Sequence, residues 1–191
     1  MRAWKPLTAT FVASIVFLSG CTSQTSSEDP MLAELGLGGL SGQEIVAQLD
    51  VSTESRPLDF VASVREDEVL VGDGTKEVSV PLPDDVYYVS IAPFIETTHE
   101  CYFHSLATCQ GELTDESVDV RITDADGDVL VQETATTYAN GFVGYWLPRD
   151  IEGTIEISQG DLTGSVPFST SEGSPTCVTT LQLAGAPPSP T

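Results

Sequence analysis

Between Thr98 and Cys109 the chain reads Thr-His-Glu-Cys-Tyr-Phe-His-Ser-Leu-Ala-Thr-Cys, which puts His99, Cys101, His104 and Cys109 within eleven residues. Written as spacing, the segment is H-x-C-x2-H-x4-C. A third thiol, Cys177, stands far away in sequence. Thiolate with imidazole suits Zn(II), Cu(I) and Cu(II), and soft sulfur favours Cu(I). Spacing alone does not choose between copper and zinc.

Other chemistries compete for the same residues. A disulfide between two of the cysteines is the ordinary outcome in an oxidising compartment. A thioredoxin-like enzyme fits less well, because there is no C-x-x-C pair and no βαβ pattern. A cysteine hydrolase with His99 or His104 as base would need an orienting third group and an oxyanion hole, and nothing identifies them. The expectation is a metal-binding protein without a catalytic residue of its own, thiol-dependent reduction of Cu(II) being the one reaction left open.

The compartment follows from the N-terminus. Arg2 and Lys5 precede an apolar run from Leu7 to Leu18, too short to span a bilayer stably but suited to an export signal. The run ends in Leu18-Ser19-Gly20-Cys21, which resembles a bacterial lipobox. Cleavage after residue 20 would leave Cys21 as a diacylated N-terminus, and two acyl chains anchor firmly where one does not. The expected location is therefore the outer face of the cell membrane. Of four cysteines, Cys101, Cys109 and Cys177 then remain. Three is odd, so intramolecular disulfides cannot use them all.

Export would also remove Arg2 and Lys5, leaving 5 basic against 29 acidic residues, a net charge of −24 where the whole chain has −22. Such a chain repels phosphate backbones, which excludes nucleic acid as a partner.

The elements that must position the ligands are legible in outline. Thr22 to Pro30 is small, polar and aperiodic, a tether over 21–30. Ala184 to Thr191 reads as a disordered tail. Residues 31–83 form a small mixed region. Ser41 and Glu44 make a capping box before Ile45, Val46 and Leu49 at helical spacing. A second short helix is expected from Pro57, with Phe60, Val61 and Val64 on one face. Val69 to Val71, the Gly72-Asp73-Gly74 turn and Val78 to Val80 predict a hairpin. This region is too small to bury a large core alone, so it should pack on its neighbour or on a second copy.

Residues 84–183 read as strand after strand: Val86–Ala92, Val118–Thr123, Val129–Thr136, Phe142–Leu147, Thr154–Ser158, Leu162–Phe168 and Cys177–Leu183. Their short spacing predicts an antiparallel sandwich. Asn140-Gly141 predicts a two-residue hairpin, since both positions tolerate positive φ. The fold class expected is α+β: a β-sandwich of about seven strands, transthyretin- or immunoglobulin-like, with a small N-terminal helical and hairpin region. The 99–109 segment should be a loop or short helical turn at one end, with Cys101 and His104 on one face if helical. On the last strand Cys177, Thr179, Leu181 and Leu183 share the inward face, so Cys177 could meet the loop from the other side.

Asp124, Asp126 and Asp128 mimic the start of a calcium loop. Gly127 falls at the fourth position instead of the sixth, however, and Ala135 occupies the twelfth. A tight turn between strands fits better.

The blocks THECYFHSLATCQGEL, NGFVGYWLPR (Asn140 to Arg149) and TCVTTLQL (Thr176 to Leu183) closely resemble the CueP family of exported copper-binding proteins, and EIVAQLD and RPLDFVASV extend the likeness toward the N-terminus. The resemblance implies copper handling outside the cytoplasm: capture of excess copper, and supply to a secreted copper enzyme such as a superoxide dismutase. It maps the family's cysteines onto Cys101, Cys109 and Cys177, with His99 and His104 beside them, and implies a homodimer formed through the N-terminal region. It reads Asn140 to Arg149 as structural, with Trp146 in the core. The lipobox and tether depart from the soluble periplasmic members and imply action at the membrane. The residues admit a copper sink or chaperone, a thiol protein reducing Cu(II), and a zinc-binding lipoprotein.

Overall fold

The computed structural model describes residues 29–185. The export signal, Cys21, most of the tether and the tail from Ala186 lie outside them.

Two short helices open the described chain. Helix α1, Pro30–Glu34, is capped by Asp29, whose carboxylate accepts the Met31 N–H, and Pro30 fills its first turn. Pro30 thus belongs to the fold and not to the tether. Helix α2, Gly42–Asp50, begins with the expected capping box: the Ser41 side chain accepts from the Glu44 N–H and Glu44 reaches back to the Ser41 N–H. Its buried stripe is Ile45, Val46, Leu49 and Asp50. An acidic residue ends that stripe, where the helix dipole disfavours negative charge.

A three-stranded antiparallel sheet follows, β1 (Val61–Val64), β2 (Glu68–Gly72) and β3 (Glu77–Pro81), in that order. The β2–β3 hairpin is as expected. The helix expected from Pro57 is instead strand β1, preceded by a cis Arg56–Pro57 bond. Both edges of β1 are claimed. One pairs with β2 from Val61↔Gly72 to Val64↔Val69. On the other, the Val64 N–H donates to the His104 carbonyl at 2.8 Å and the Leu106 N–H to Ala62 at 2.9 Å. Tertiary pairing on two sides outweighs a local helical pattern of three apolar residues, and Ala62 and Val64 alternate inward as a strand requires.

The sandwich sets two sheets face to face. Strands β4 (Val86–Ile91), β7 (Val143–Pro148) and β10 (Cys177–Val178) form one, in the order β10-β4-β7. Strands β5 (Ser117–Asp124), β6 (Val129–Thr136), β8 (Glu152–Gln159), β9 (Leu162–Ser169) and β11 (Ala184–Gly185) form the other, in the order β11-β9-β8-β5-β6. Tyr87, Val89, Ile91, Val143 and Leu147 of the first sheet meet Val118, Val120, Ile122, Ile155 and Ile157 of the second. Strand β4 is buried on both faces. Its Tyr88 points the other way, into a core shared with Leu32, Ile45, Val71 and Leu106, and Trp146 packs half-buried at its edge. The N-terminal region therefore completes its core against the neighbouring sheet, as its size demanded.

The C-terminal strand is shorter than expected and differs in sense. Only Cys177–Val178 pairs with β4, in parallel, while Ala184–Gly185 crosses to pair with β9. Those two residues thus belong to the sheet and not to a disordered tail. The Asn140-Gly141 turn is no hairpin either. It carries the chain from β6 in one sheet to β7 in the other. Only Gly141 has positive φ, at 80°, and a Cβ there would lie 2.6 Å from the Gly111 carbonyl oxygen. Asp124 behaves as a turn residue, its carboxylate accepting the Asp126 and Asp128 N–H groups at 3.0 and 2.8 Å.

Candidate metal centre

The segment bearing four of the candidate ligands is an irregular loop without the helical turn allowed for Cys101 and His104. It is nonetheless tightly fixed. At its start, the Glu112 carboxylate accepts the N–H groups of Ile95, Glu96 and Thr97, and the Thr98 hydroxyl donates to the Thr179 carbonyl. In its middle, the His104 N–H donates to Thr176 Oγ1 at 2.9 Å, and that hydroxyl donates onward to the Val64 carbonyl. The neighbouring Cys177 N–H donates to the Tyr102 carbonyl at 3.1 Å. Strand β1 and the head of β10 thus hold His104 and Cys177 against each other.

All five residues singled out from the sequence meet here, in two sets of three donor atoms. His99, Cys101 and Cys109 form one; His104, Cys109 and Cys177 form the other; within each set the donors lie within 4.8 Å of one another. All three cysteines are free thiols. Cys101 Sγ and Cys109 Sγ are 3.4 Å apart, and Cys177 Sγ lies 3.8 Å from His104 Nδ1. Phe142 stands between the histidines, its ring centroid 4.6 Å from that of His104 and 6.2 Å from that of His99. The thiols pack with Ala92 and Phe142 in a small apolar cluster. This low-polarity setting strengthens any electrostatic interaction made inside it.

Sequence reading missed one residue that matters here, Asp50. It is 1% exposed, and its Oδ1 lies 3.0 Å from His104 Nε2. Asn140 Nδ2 donates to the same oxygen at 2.7 Å, and the Tyr88 hydroxyl donates to Oδ2. Gly144 makes room for that hydroxyl, since a Cβ at 144 would overlap it. A carboxylate on Nε2 fixes the imidazole so that Nδ1 faces Cys177, the arrangement in which metal-binding histidines are commonly held. A signal existed: Asp50 is four residues beyond Val46 and one beyond Leu49, on the buried face of α2.

The charges interlock. Burial opposes the cationic form of His104, yet the Asp50 carboxylate overcomes it and raises the imidazole to about 9. Asp50 is held low despite its burial, by that cation and by its three hydrogen bonds. Of the three clustered thiols Cys109 is held lowest, by its hydrogen bonds with Cys101 and Cys177, which outweigh its burial, and by the nearby His104. Cys101 is pushed up to about 12, chiefly by its hydrogen bond with Cys109, and Cys177 is raised further by hydrogen bonds with both other sulfurs and by burial.

Fold and donor set together define a β-sandwich protein in which sulfur and imidazole donors cluster closely enough to hold one metal ion. The family model for the periplasmic copper-binding protein CueP matches residues 44–182. The crystal structure of S.CueP is 42% identical to this chain, covers 83% of it and 98% of its own length, and superposes with a TM-score of 0.79. No curated protein matches. The chain belongs to the CueP family, and copper is the metal that this family binds. No helix among the described residues is long and apolar enough to cross a membrane.

Proposed function

We propose that the protein is an extracytoplasmic copper-binding lipoprotein, tethered through Cys21, that captures copper as Cu(I) on Cys101, Cys109 and Cys177 with His104 and His99. The observation that carries this reading is the convergence of three free thiols on His104, an imidazole oriented by Asp50. Sulfur donors select Cu(I) over Zn(II), so zinc is a weaker occupant. Delivery to a secreted copper enzyme such as a superoxide dismutase, and a homodimer formed through residues 31–83, belong to the same reading. Loading displaces protons from thiols, so capture weakens as pH falls.

The Cys101–Cys109 contact also favours Cu(II) reduction. Two Cu(II) ions would take one electron from each sulfur, giving two Cu(I), one disulfide and the release of the thiol protons. Reduced protein mixed anaerobically with Cu(II) should lose two titratable thiols as two Cu(I) appear, in the stoichiometry just written. Cu(II) left unreduced with every thiol intact would leave a simple metal sink.

Location has its own test. Cys21→Ala should leave an uncleaved precursor or protein shed to the medium, seen by fractionation and mass spectrometry. A variant processed and retained like the wild type would remove the lipid anchor from the account.

A further inference from the structure

The two donor sets are chemically alike and differently placed. Each has one imidazole and two sulfurs, and they share only Cys109. His99, Cys101 and Cys109 line an open pocket at the surface, together with Glu100 and Tyr102. His99 Nε2 is buried there with no hydrogen-bond partner. An orphaned ring nitrogen beside two sulfurs is uncommon unless a ligand completes it. The inner set is closed: His104 is 0% and Cys177 3% exposed, and neither lines the pocket. A cation arriving from solvent meets the outer set first.

We infer that copper is loaded in two stations, docking on His99, Cys101 and Cys109 and then passing inward to Cys109, His104 and Cys177, with Cys109 bound throughout. The inference rests on the copper reading above. The ion stays Cu(I). Its bonds to Cys101 Sγ and to the His99 ring break as bonds to Cys177 Sγ and His104 Nδ1 form. The proton displaced from the Cys177 thiol goes to the Cys101 thiolate as it lets go, the proton that His104 Nδ1 gives up goes to solvent, and the His99 ring is released neutral. Equal donor sets make the exchange nearly neutral in bond chemistry. Burial, and the Asp50 carboxylate on His104 alone, make the inner station the resting place. The outer station sets how fast copper enters, and the inner station how slowly it leaves.

Rates and equilibrium affinity therefore separate. Reduced wild type, His99→Ala, Cys101→Ser and Cys177→Ser would each be loaded from a weak Cu(I) chelator by stopped flow, titrated against a strong one, and followed during release. His99→Ala and Cys101→Ser should load about tenfold or more slowly, and each should lose less equilibrium affinity than Cys177→Ser does. Cys177→Ser should load at the wild-type rate and release about tenfold or more quickly. Imidazole 15N shifts of the loaded wild type should show metal on His104 and none on His99. Wild type that takes no Cu(I) overturns the copper reading and the handoff with it. If wild type binds while His99→Ala and Cys101→Ser lose affinity as Cys177→Ser does, or load at the wild-type rate, the handoff alone falls and a single composite site remains.

Discussion

Cys109→Ser should weaken Cu(I) binding by about a thousandfold or more, on the order of 4 kcal/mol, in a competition titration on reduced protein. No other single substitution should cost as much, because Cys109 is the one donor common to both sets. It is also the most acidic of the three thiols, and so the sulfur poised to bond a cation first. A serine hydroxyl is nearly the same size but hard and essentially never ionised, so it keeps the packing around Phe142 while losing the soft ligand. Circular dichroism and thermal melts of the metal-free variant should therefore stay close to wild type. Full Cu(I) affinity in this variant would show that the cluster's centre lies elsewhere.

Asp50→Asn should reduce Cu(I) affinity by about 10–100-fold, although Asp50 touches none of the five candidate donors except His104. Asparagine has the same shape but can present an amide N–H to His104 Nε2. That would favour the tautomer with the proton on Nδ1, the atom facing Cys177. Imidazole 15N spectra of metal-free protein, recorded above about pH 9 where wild-type His104 is neutral, report this directly, and a role in packing alone would leave the tautomer unchanged. The variant should also change how stability depends on pH in the metal-free state. His104 is raised in the fold, so its contribution is fully present below about 6.5 and is lost as pH rises through about 9. Asp50 is lowered, so its contribution is present above about 3.9 and is lost as pH falls through its depressed value. Wild type should therefore melt highest between these limits and lose stability on going from about pH 6.5 to 9, a loss absent from Asp50→Asn. An unaltered tautomer with unaltered affinity would reduce Asp50 to a buried structural charge.

The donors were legible in sequence for a local reason. Four of them sit within one loop, where spacing alone brings them near each other, and Cys177 lay on the inward face of a strand. The strand-rich half was legible because alternation and turn residues are local signals too. Asp50 was not, because its three partners, Tyr88, His104 and Asn140, come from three distant segments. A buried acid on a helix face looks like a pattern error until those partners are in place. The same holds for Phe60 to Val64, whose helical spacing yields to β2 on one edge and the ligand loop on the other. Asn140 misled for a related reason: its side chain serves Asp50, and the turn it opens joins two sheets. The division of the donors into an outer and an inner set depends on burial, which spacing does not encode.

Whether this cluster holds copper through sulfur and imidazole together is decided by a Cu(I) competition titration of the reduced protein, with Cu and Zn edge X-ray absorption on the loaded samples. One Cu(I) per chain, bound far more tightly than Zn(II) and showing both Cu–S and Cu–N scattering, is the predicted result. Zn(II) bound as tightly as Cu(I), or copper with no sulfur in its first shell, would contradict it.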